Sequence, residues 1–260
     1  MKTIKPILEK IYDNPSLRRR IVPLFLGNPG ISKTAQIEQF AKSRGVNLVS
    51  FITSARNPFE ISGMAMSDAR RTKMTYLDFD TLKDLKDGDI LFFDEFGNGN
   101  QATANSCLTL LENREMISGK KLADVMIVAA ANPVGMMPLT PQIKERFMWY
   151  DIKFDKDSWQ SFMMDKYKMP KSISNPLAKL IEGEKFTGQN FFTPRSIDKA
   201  VEMLIHDVLV PSEYKHIETS LNIMVNNVLK EKIPLPDGKF LEENEKISWL
   251  NLVRYALNNK

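Results

Sequence analysis

One cysteine, Cys107, and two histidines, His206 and His216, are the whole thiol and imidazole complement of this 260-residue chain. A disulfide framework within the chain is therefore excluded, and so is a metal centre built from histidine and cysteine. Long apolar runs are equally scarce. The longest, Ile21–Leu26, Ile90–Phe93 and Val125–Ala131, fall far below the roughly 18 residues that a membrane-spanning helix requires. The N-terminal lysines are followed by no apolar stretch of signal-peptide type. The expectation is a reduced, cytoplasmic protein without a membrane role. A one-sided charge is missing too: 36 basic residues face 32 acidic ones. The first 155 residues carry 21 basic against 18 acidic side chains, the remainder 15 against 14. Bulk electrostatics thus make no demand for nucleic acid, and any basic surface must arise from local clustering.

An apolar fraction of 43% and a charged fraction of 26% are those of an ordinary globular protein able to bury a core. Up to residue 155 short apolar runs alternate with amphipathic stretches. Ile21–Leu26, Val46–Thr53, Ile90–Phe93, Val125–Ala131 and Met148–Phe154 read as strands, with helices over Lys33–Arg44, Thr81–Lys86, Gln101–Asn113 and Pro141–Glu145. The central runs are nearly continuous in apolar residues, as parallel strands covered on both faces are. This alternation predicts an α/β fold with a parallel five-stranded sheet. Beyond Phe154 the pattern is all helical. Asp157 reads as an N-cap, Pro176–Glu182 as a helix after a Pro/Ser/Asn-rich loop, and Thr193-Pro194 as the start of a third helix running to about Leu209. Ser212–Lys230 and Glu243–Asn258 complete the set, separated by the turn at 234–238. The predicted division is 1–155 for the α/β core and 156–260 for a small helical domain. The 14 methionines read as adaptable core filler, and Cys107 as a buried small residue in the middle of its helix.

The stretch Gly27-Asn28-Pro29-Gly30-Ile31-Ser32-Lys33-Thr34 lies between a strand and a helix, the setting of a Walker A phosphate loop. Glycines let successive N–H groups turn toward a phosphate beside the positive end of a helix. Lys33 would reach the β- and γ-phosphates, and the Thr34 hydroxyl would hold Mg²⁺. Ser32 occupies a position usually held by glycine, which restricts the loop if φ must be positive there. The second half of the site is Ile90-Leu91-Phe92-Phe93-Asp94-Glu95. A buried strand delivers Asp94 to the carboxyl edge of the sheet, toward the metal, and Glu95 to orient and activate the attacking water.

On these residues the chain resembles the AAA+ ATPases, a P-loop NTPase fold, in their MoxR-like and dynein-related branch of the helix-2-insert clade. The resemblance runs on through Asn57–Gly63, Leu110–Glu115, Val125–Pro133, Pro141–Phe147 and Thr193–Ser196, covering roughly residues 20–205. It implies ATP and Mg²⁺ as cofactors, ATP hydrolysis as the activity, and a helical lid as the second domain. Asn132 would stand beside the γ-phosphate, Arg146 would act as an arginine finger on a neighbouring subunit, and Arg195 would reach from the lid. Blander roles stand beside these: Asn132 as a turn former, Arg146 as a surface arginine, Arg195 as a partner of Glu202 or Glu182. The family form is a homo-oligomer, a hexameric ring, often working with a von Willebrand factor A-type (VWA) protein.

Two segments, Gly63–Tyr76 with Arg70, Arg71 and Lys73, and Glu115–Asp124 with Lys120 and Lys121, resemble hairpins that the family aims at the ring's pore. Three readings stay open: a MoxR-like remodelling chaperone acting on a protein partner, a DNA-handling motor or loader using those basic residues, and a nucleotide-gated scaffold that turns over slowly. Sparse aromatics near the basic residues favour the first.

Overall fold

In a computed structural model of the chain, residues 4–78, 80–186, 191–206 and 208–228 are described. Two compact units meet between Lys153 and Phe154. The expected helix over Glu243–Asn258 and the turn before it lie outside the described residues. No described helix is long and apolar enough to cross a membrane.

The first unit opens with two helices where the sequence reading places none. In α1 (Ile4–Tyr12) the buried residues Ile4, Leu8 and Ile11 recur at helical spacing. In α2 (Pro15–Arg20) the Asn14 side chain accepts from the Ser16 and Leu17 amides, with Pro15 at the first helical position. The strand β1 (Pro23–Leu26) follows, then α3 (Lys33–Arg44), which Gly45 ends in the left-handed conformation. Next come β2 (Leu48–Ile52), the short α4 (Phe59–Ser62), β3 (Met64–Ser67), β4 (Met74–Leu77) and α5 (Asp80–Lys83). The strand β5 (Ile90–Asp94) leads to α6 (Gln101–Ser106), α7 (Leu108–Asn113), β6 (Met126–Ala131), α8 (Pro141–Lys144) and β7 (Met148–Asp151).

Five strands form one parallel sheet in the order β2-β5-β6-β1-β7. The register runs Leu24↔Ala129 between β1 and β6, and Ile90↔Met126 between β5 and β6. The central strands are buried, β6 along its whole length, while β7 at the edge is partly exposed. Continuous apolar runs mark the strands with no solvent face. Phe96 and Phe147 join Phe51 of β2 and Phe93 of β5 in the core. Neighbouring carboxyl ends of β1, β6 and β5 therefore lie at one edge of the sheet.

The expected single helix over Gln101–Asn113 is divided at Cys107. The Ser106 hydroxyl and the Cys107 thiol both turn back onto the Thr103 carbonyl, and the Cys107 amide bonds Ala104 instead. Side-chain competition of this kind breaks the regular ladder.

In the second unit α9 (Lys156–Tyr167) is capped by Asp155, whose carboxylate accepts from the Ser158 amide. The N-cap is thus Asp155 rather than Asp157, because only a residue three before an amide reaches it from outside the helix. The helix α10 (Lys171–Glu182) starts five residues ahead of the expected Pro176, which sits inside it. Burial of Ile173, Leu177 and Ile181 on one face offsets the cost of an interior proline. Thr193 and Ser196 form a capping box at α11 (Pro194–Ile205), and a 3-10 turn at Ser212–Tyr214 precedes α12 (Lys215–Val228). Trp159, Met163, Tyr167, Leu177, Val201 and Leu221 belong to this unit's own core.

Candidate functional site

Between β1 and α3 the chain makes a tight loop. Gly27 has no room for a side chain: an added Cβ would stand 2.5 Å from Ile31 Cδ1 and 2.6 Å from the Ile152 carbonyl oxygen. Gly30 has φ 79° and Ser32 φ 66°, so both are left-handed. The position that the sequence marks as unusual for serine is indeed one where a Cβ costs about 1–2 kcal/mol. Ser32 does not cap α3 with its side chain. A helix's first amides have no acceptor in their own ladder, which suits them to an anion.

Lys33, only 7% exposed, is folded back over the loop. Its Nζ donates to the Gly27 carbonyl at 2.6 Å, the Asn28 carbonyl at 3.0 Å and Asn132 Oδ1 at 2.8 Å. Beside it, the Thr34 hydroxyl donates to Asp94 Oδ2 at 2.7 Å. The other Asp94 oxygen accepts the Glu95 amide at 2.8 Å, and the Asp94 carbonyl accepts the Thr53 hydroxyl at 2.9 Å. Glu95 has φ 52°, a left-handed conformation that turns the chain sharply off β5. Its carboxylate accepts the Ser54 hydroxyl. Asn132, just past β6, is held by Asn98, whose amide N–H bonds the Glu95 carbonyl at 3.0 Å.

These bonds close a ring: Lys33 to Asn132, Asn132 to Asn98, Asn98 to Glu95, Glu95 to Asp94, Asp94 to Thr34 and, through the chain, back to Lys33. The structure thus joins Lys33, Thr34, Asp94, Glu95 and Asn132, all expected from sequence, around the loop of Gly27, Asn28, Pro29, Gly30, Ile31 and Ser32. A hydroxyl paired with one carboxylate is a hard-oxygen donor set of the kind Mg²⁺ takes when phosphates and water complete its shell. Among the described residues no three His, Cys, Asp or Glu side chains cluster as a metal cage, so a cation here would depend on those outside ligands. The donor chemistry fits a magnesium nucleotide.

Arg146 stands outside the ring. Its guanidinium donates to Glu112 Oε1 of α7 at 2.6 Å, and its side chain is 32% exposed. Arg195 lies in the second unit, exposed in the first turn of α11. Its suggested partner Glu202 is taken by Lys166 at 3.2 Å. Sequence reasoning gave no role to Thr53, Ser54 and Asn98, ordinary polar residues with no motif of their own, or to Glu112, which falls within Leu110–Glu115 without a role of its own there.

The two basic segments prove to be neighbours. The strands β3 and β4 pair antiparallel, Met64↔Leu77 to Ser67↔Met74, as a separate hairpin. Its tip is held by Asp68, which accepts from the Thr72 hydroxyl and from the Thr72 and Lys73 amides. The second segment turns back on itself through the Glu115–Lys121 bridge. Asp78 joins the two by accepting the Ser118 hydroxyl at 2.6 Å and its amide at 3.1 Å. Gly63 permits the contact, since an added Cβ would meet the Leu77 oxygen at 2.4 Å and Ile117 at 2.7 Å. Arg70, Arg71, Lys73, Lys120 and Lys121 are exposed, with Lys121 paired to Glu115. So are Met64, Met66, Met74, Tyr76 and Leu77, together with Phe59 nearby in sequence. Methionine is therefore surface as well as filler in this chain.

The sequence profile of the MoxR domain in the MoxR–vWA–beta-propeller ternary systems matches residues 18–153. No curated protein sequence matches the chain. Among solved structures it is similar to a mutant of Thermotoga maritima RuvB, with a TM-score of 0.56 at 15% identity over 99% of this chain and 82% of the other. A second Thermotoga maritima structure, described as the RuvB Holliday junction branch migration motor, gives a TM-score of 0.55 at 14% identity with the same coverage. At such identity the likeness speaks for the fold alone.

Proposed function

The chain belongs to the MoxR domain family of the MoxR–vWA–beta-propeller ternary systems, AAA+ ATPases by fold, and from that membership we propose that it hydrolyses Mg-ATP as an oligomer acting on a partner protein. The observation that carries the reading is the closed ring of hydrogen bonds through Lys33, Asn132, Asn98, Glu95, Asp94 and Thr34. Lys33 and the loop amides would hold the phosphates. An anionic oxygen is a stronger acceptor for an ammonium than the neutral carbonyls of Gly27 and Asn28 that Lys33 now bonds. Thr34 and Asp94 would hold the metal, which when bound neutralises charge on the β- and γ-phosphate oxygens. Glu95 takes the proton of the attacking water, and the Ser54 hydroxyl sets the direction of its carboxylate. Asn132 orients the lysine.

Arg146 and Arg195 are the cations proposed to meet the charge that develops in phosphoryl transfer, Arg146 on a neighbour's nucleotide and Arg195 from the lid. A ring, hexameric in the family, is the assembly this requires, and a VWA protein the expected companion. A protein partner suits the joined hairpins, where the exposed apolar side chains of Met64, Met66, Met74, Tyr76 and Leu77 stand on the strands and basic residues at the tips. Nucleic-acid grooves combine basic residues with stacked aromatics. A second reading, a DNA-handling motor, has the exposed Arg70, Arg71, Lys73 and Lys120 in its favour. Salt-sensitive oligonucleotide binding that disappears when these become alanine would establish it.

The deciding experiment is phosphate release with Mg-ATP, compared with nucleotide binding. Lys33→Ala should lose binding. Glu95→Gln should keep it and lose turnover by about 10²–10⁴-fold. Full turnover in Glu95→Gln would overturn the assignment.

A further inference from the structure

We propose that Asn98 is a positioning residue of the nucleotide site: it clamps the backbone of Asn132 and so keeps the Asn132 side chain on Lys33. The inference rests on the ATPase reading only for its kinetic consequence, not for the clamp itself. Its basis is a break in the sheet. The strands β5 and β6 pair as far as Phe93↔Ala129, and one further bond runs from the Phe96 amide to the Ala130 carbonyl at 2.8 Å. Beyond that the chains diverge, and Pro133 has no N–H with which to continue a ladder. The primary amide of Asn98 takes the place of the missing backbone. Its Oδ1 accepts the Asn132 N–H at 3.2 Å, and its Nδ2 donates to the Asn132 carbonyl at 3.2 Å and the Val134 carbonyl at 3.1 Å. Both Nδ2 hydrogens and an oxygen lone pair are thus used. The orientation of the amide follows from its partners, because the reverse would set oxygen against two carbonyls.

Asn98 is itself anchored by its own N–H on the Glu95 carbonyl at 3.0 Å. One residue therefore ties the turn that carries Glu95 to the strand end that carries Asn132. A substrate pocket assembled from two strand ends loses rate when those ends shift by a fraction of an ångström. Aspartate tests the donor side: it keeps the acceptor for the Asn132 amide and replaces the two donor bonds with repulsion.

The test combines site-resolved hydrogen exchange on the full chain with kinetics of Asn98→Ala, Asn98→Asp, Asn132→Ala and the double variant Asn98→Ala/Asn132→Ala. Exchange at the Asn132 amide should accelerate at least about tenfold in Asn98→Ala, with the β1 amides unchanged. Turnover should fall about tenfold while the Kd for a fluorescent ATP analogue stays within about threefold. In the Asn132→Ala background, Asn98→Ala should change turnover by less than about twofold, as expected of residues acting in series. Should Asn98→Ala fail to fold, Asn98→Asp carries the test. It should leave Asn132 exchange near normal and lower turnover with little change in Kd. Unchanged exchange at Asn132 in Asn98→Ala, full multiplication of the two single effects, or wild-type turnover in Asn98→Asp would each overturn the proposal. If the unaltered protein releases no phosphate, the ATPase reading fails, and the exchange arm still decides the clamp.

Discussion

At the scale of single residues the site divides into groups that chemistry announces and groups that only geometry shows. Lys33, Thr34, Asp94 and Glu95 are legible as a set because a loop between strand and helix, followed by a buried strand ending in two carboxylates, is a rare combination, and the structure brings the four together. The strain at Ser32 was legible too, and its φ of 66° meets the expectation. Ser54 was not legible, because nothing in its neighbours Thr53 and Ala55 says that its hydroxyl reaches a glutamate 41 residues away. Its role predicts a selective defect: Ser54→Ala should lower turnover about tenfold through the loss of one hydrogen bond to a charged group. The Kd for ATP should hardly change, because Ser54 touches no phosphate-binding group. Equal losses in both would show that the hydroxyl supports the loop instead. Cys107 offers a second check. Burial pushes its thiol far above the ordinary range, so the thiolate, the reactive form, is absent at neutral pH. A thiol reagent at pH 8 should leave native protein untouched and label one equivalent in denaturant; rapid native labelling would contradict the burial.

At the scale of elements, the five sheet strands and the Thr193 cap follow from local sequence, whereas the α9 cap falls on Asp155 instead of Asp157 and several helix bounds depend on tertiary contacts. The helix α3 runs over the expected residues Lys33–Arg44 because amphipathic spacing and Gly45 define it locally. The helices α1 and α2 also carry local signals, apolar spacing in one and an Asn-Pro start in the other. By contrast the early start of α10 depends on burial that outweighs Pro176, which no local rule foretells. A tertiary contact also holds α2. Arg18 donates to Asp124 at 2.6 Å, Arg19 lies 3.2 Å from its other oxygen, and both Arg18 and Asp124 are largely buried. The hydrogen bond from Arg18, with that from Arg19, holds the Asp124 carboxyl below its ordinary value of 3.8. A depressed folded pKa means that the carboxylate's contribution is complete above about pH 4 and is lost as pH falls through the folded value. Asp124→Asn should therefore cost about 2 kcal/mol at pH 7, between the values for exposed and fully buried pairs. Urea titrations at pH 7 and pH 3 check it: the variant's deficit should shrink at the lower pH. A constant deficit would assign the effect to packing rather than charge.

At the scale of the whole molecule, one chain carries every group of the ring around Lys33, whereas Arg146 is outside it. An arginine that served its own site would be expected among those hydrogen bonds. Arg146 instead lies a third exposed against Glu112, with its Nε buried and without a partner, a poor resting arrangement for a guanidinium. The pairing with Glu112 is partly solvated and so worth little, which leaves the side chain available to a stronger anion on another copy. The assembly reading then makes a prediction that no single-chain mechanism shares. Lys33→Ala loses its own nucleotide but keeps Arg146; Arg146→Ala keeps its nucleotide but lacks the finger. Each alone should be nearly inactive, since a finger in trans is worth ~10³–10⁵ in rate. Mixed in equal amounts they form interfaces in which an intact Arg146 faces an intact phosphate loop, and phosphate release should reappear at a substantial fraction of the wild-type rate. Dilution should abolish the recovered activity as the copies separate. If the mixture stays as silent as its components while sizing shows mixed assemblies, Arg146 acts on its own chain or not at all, and the ring has no part in the chemistry.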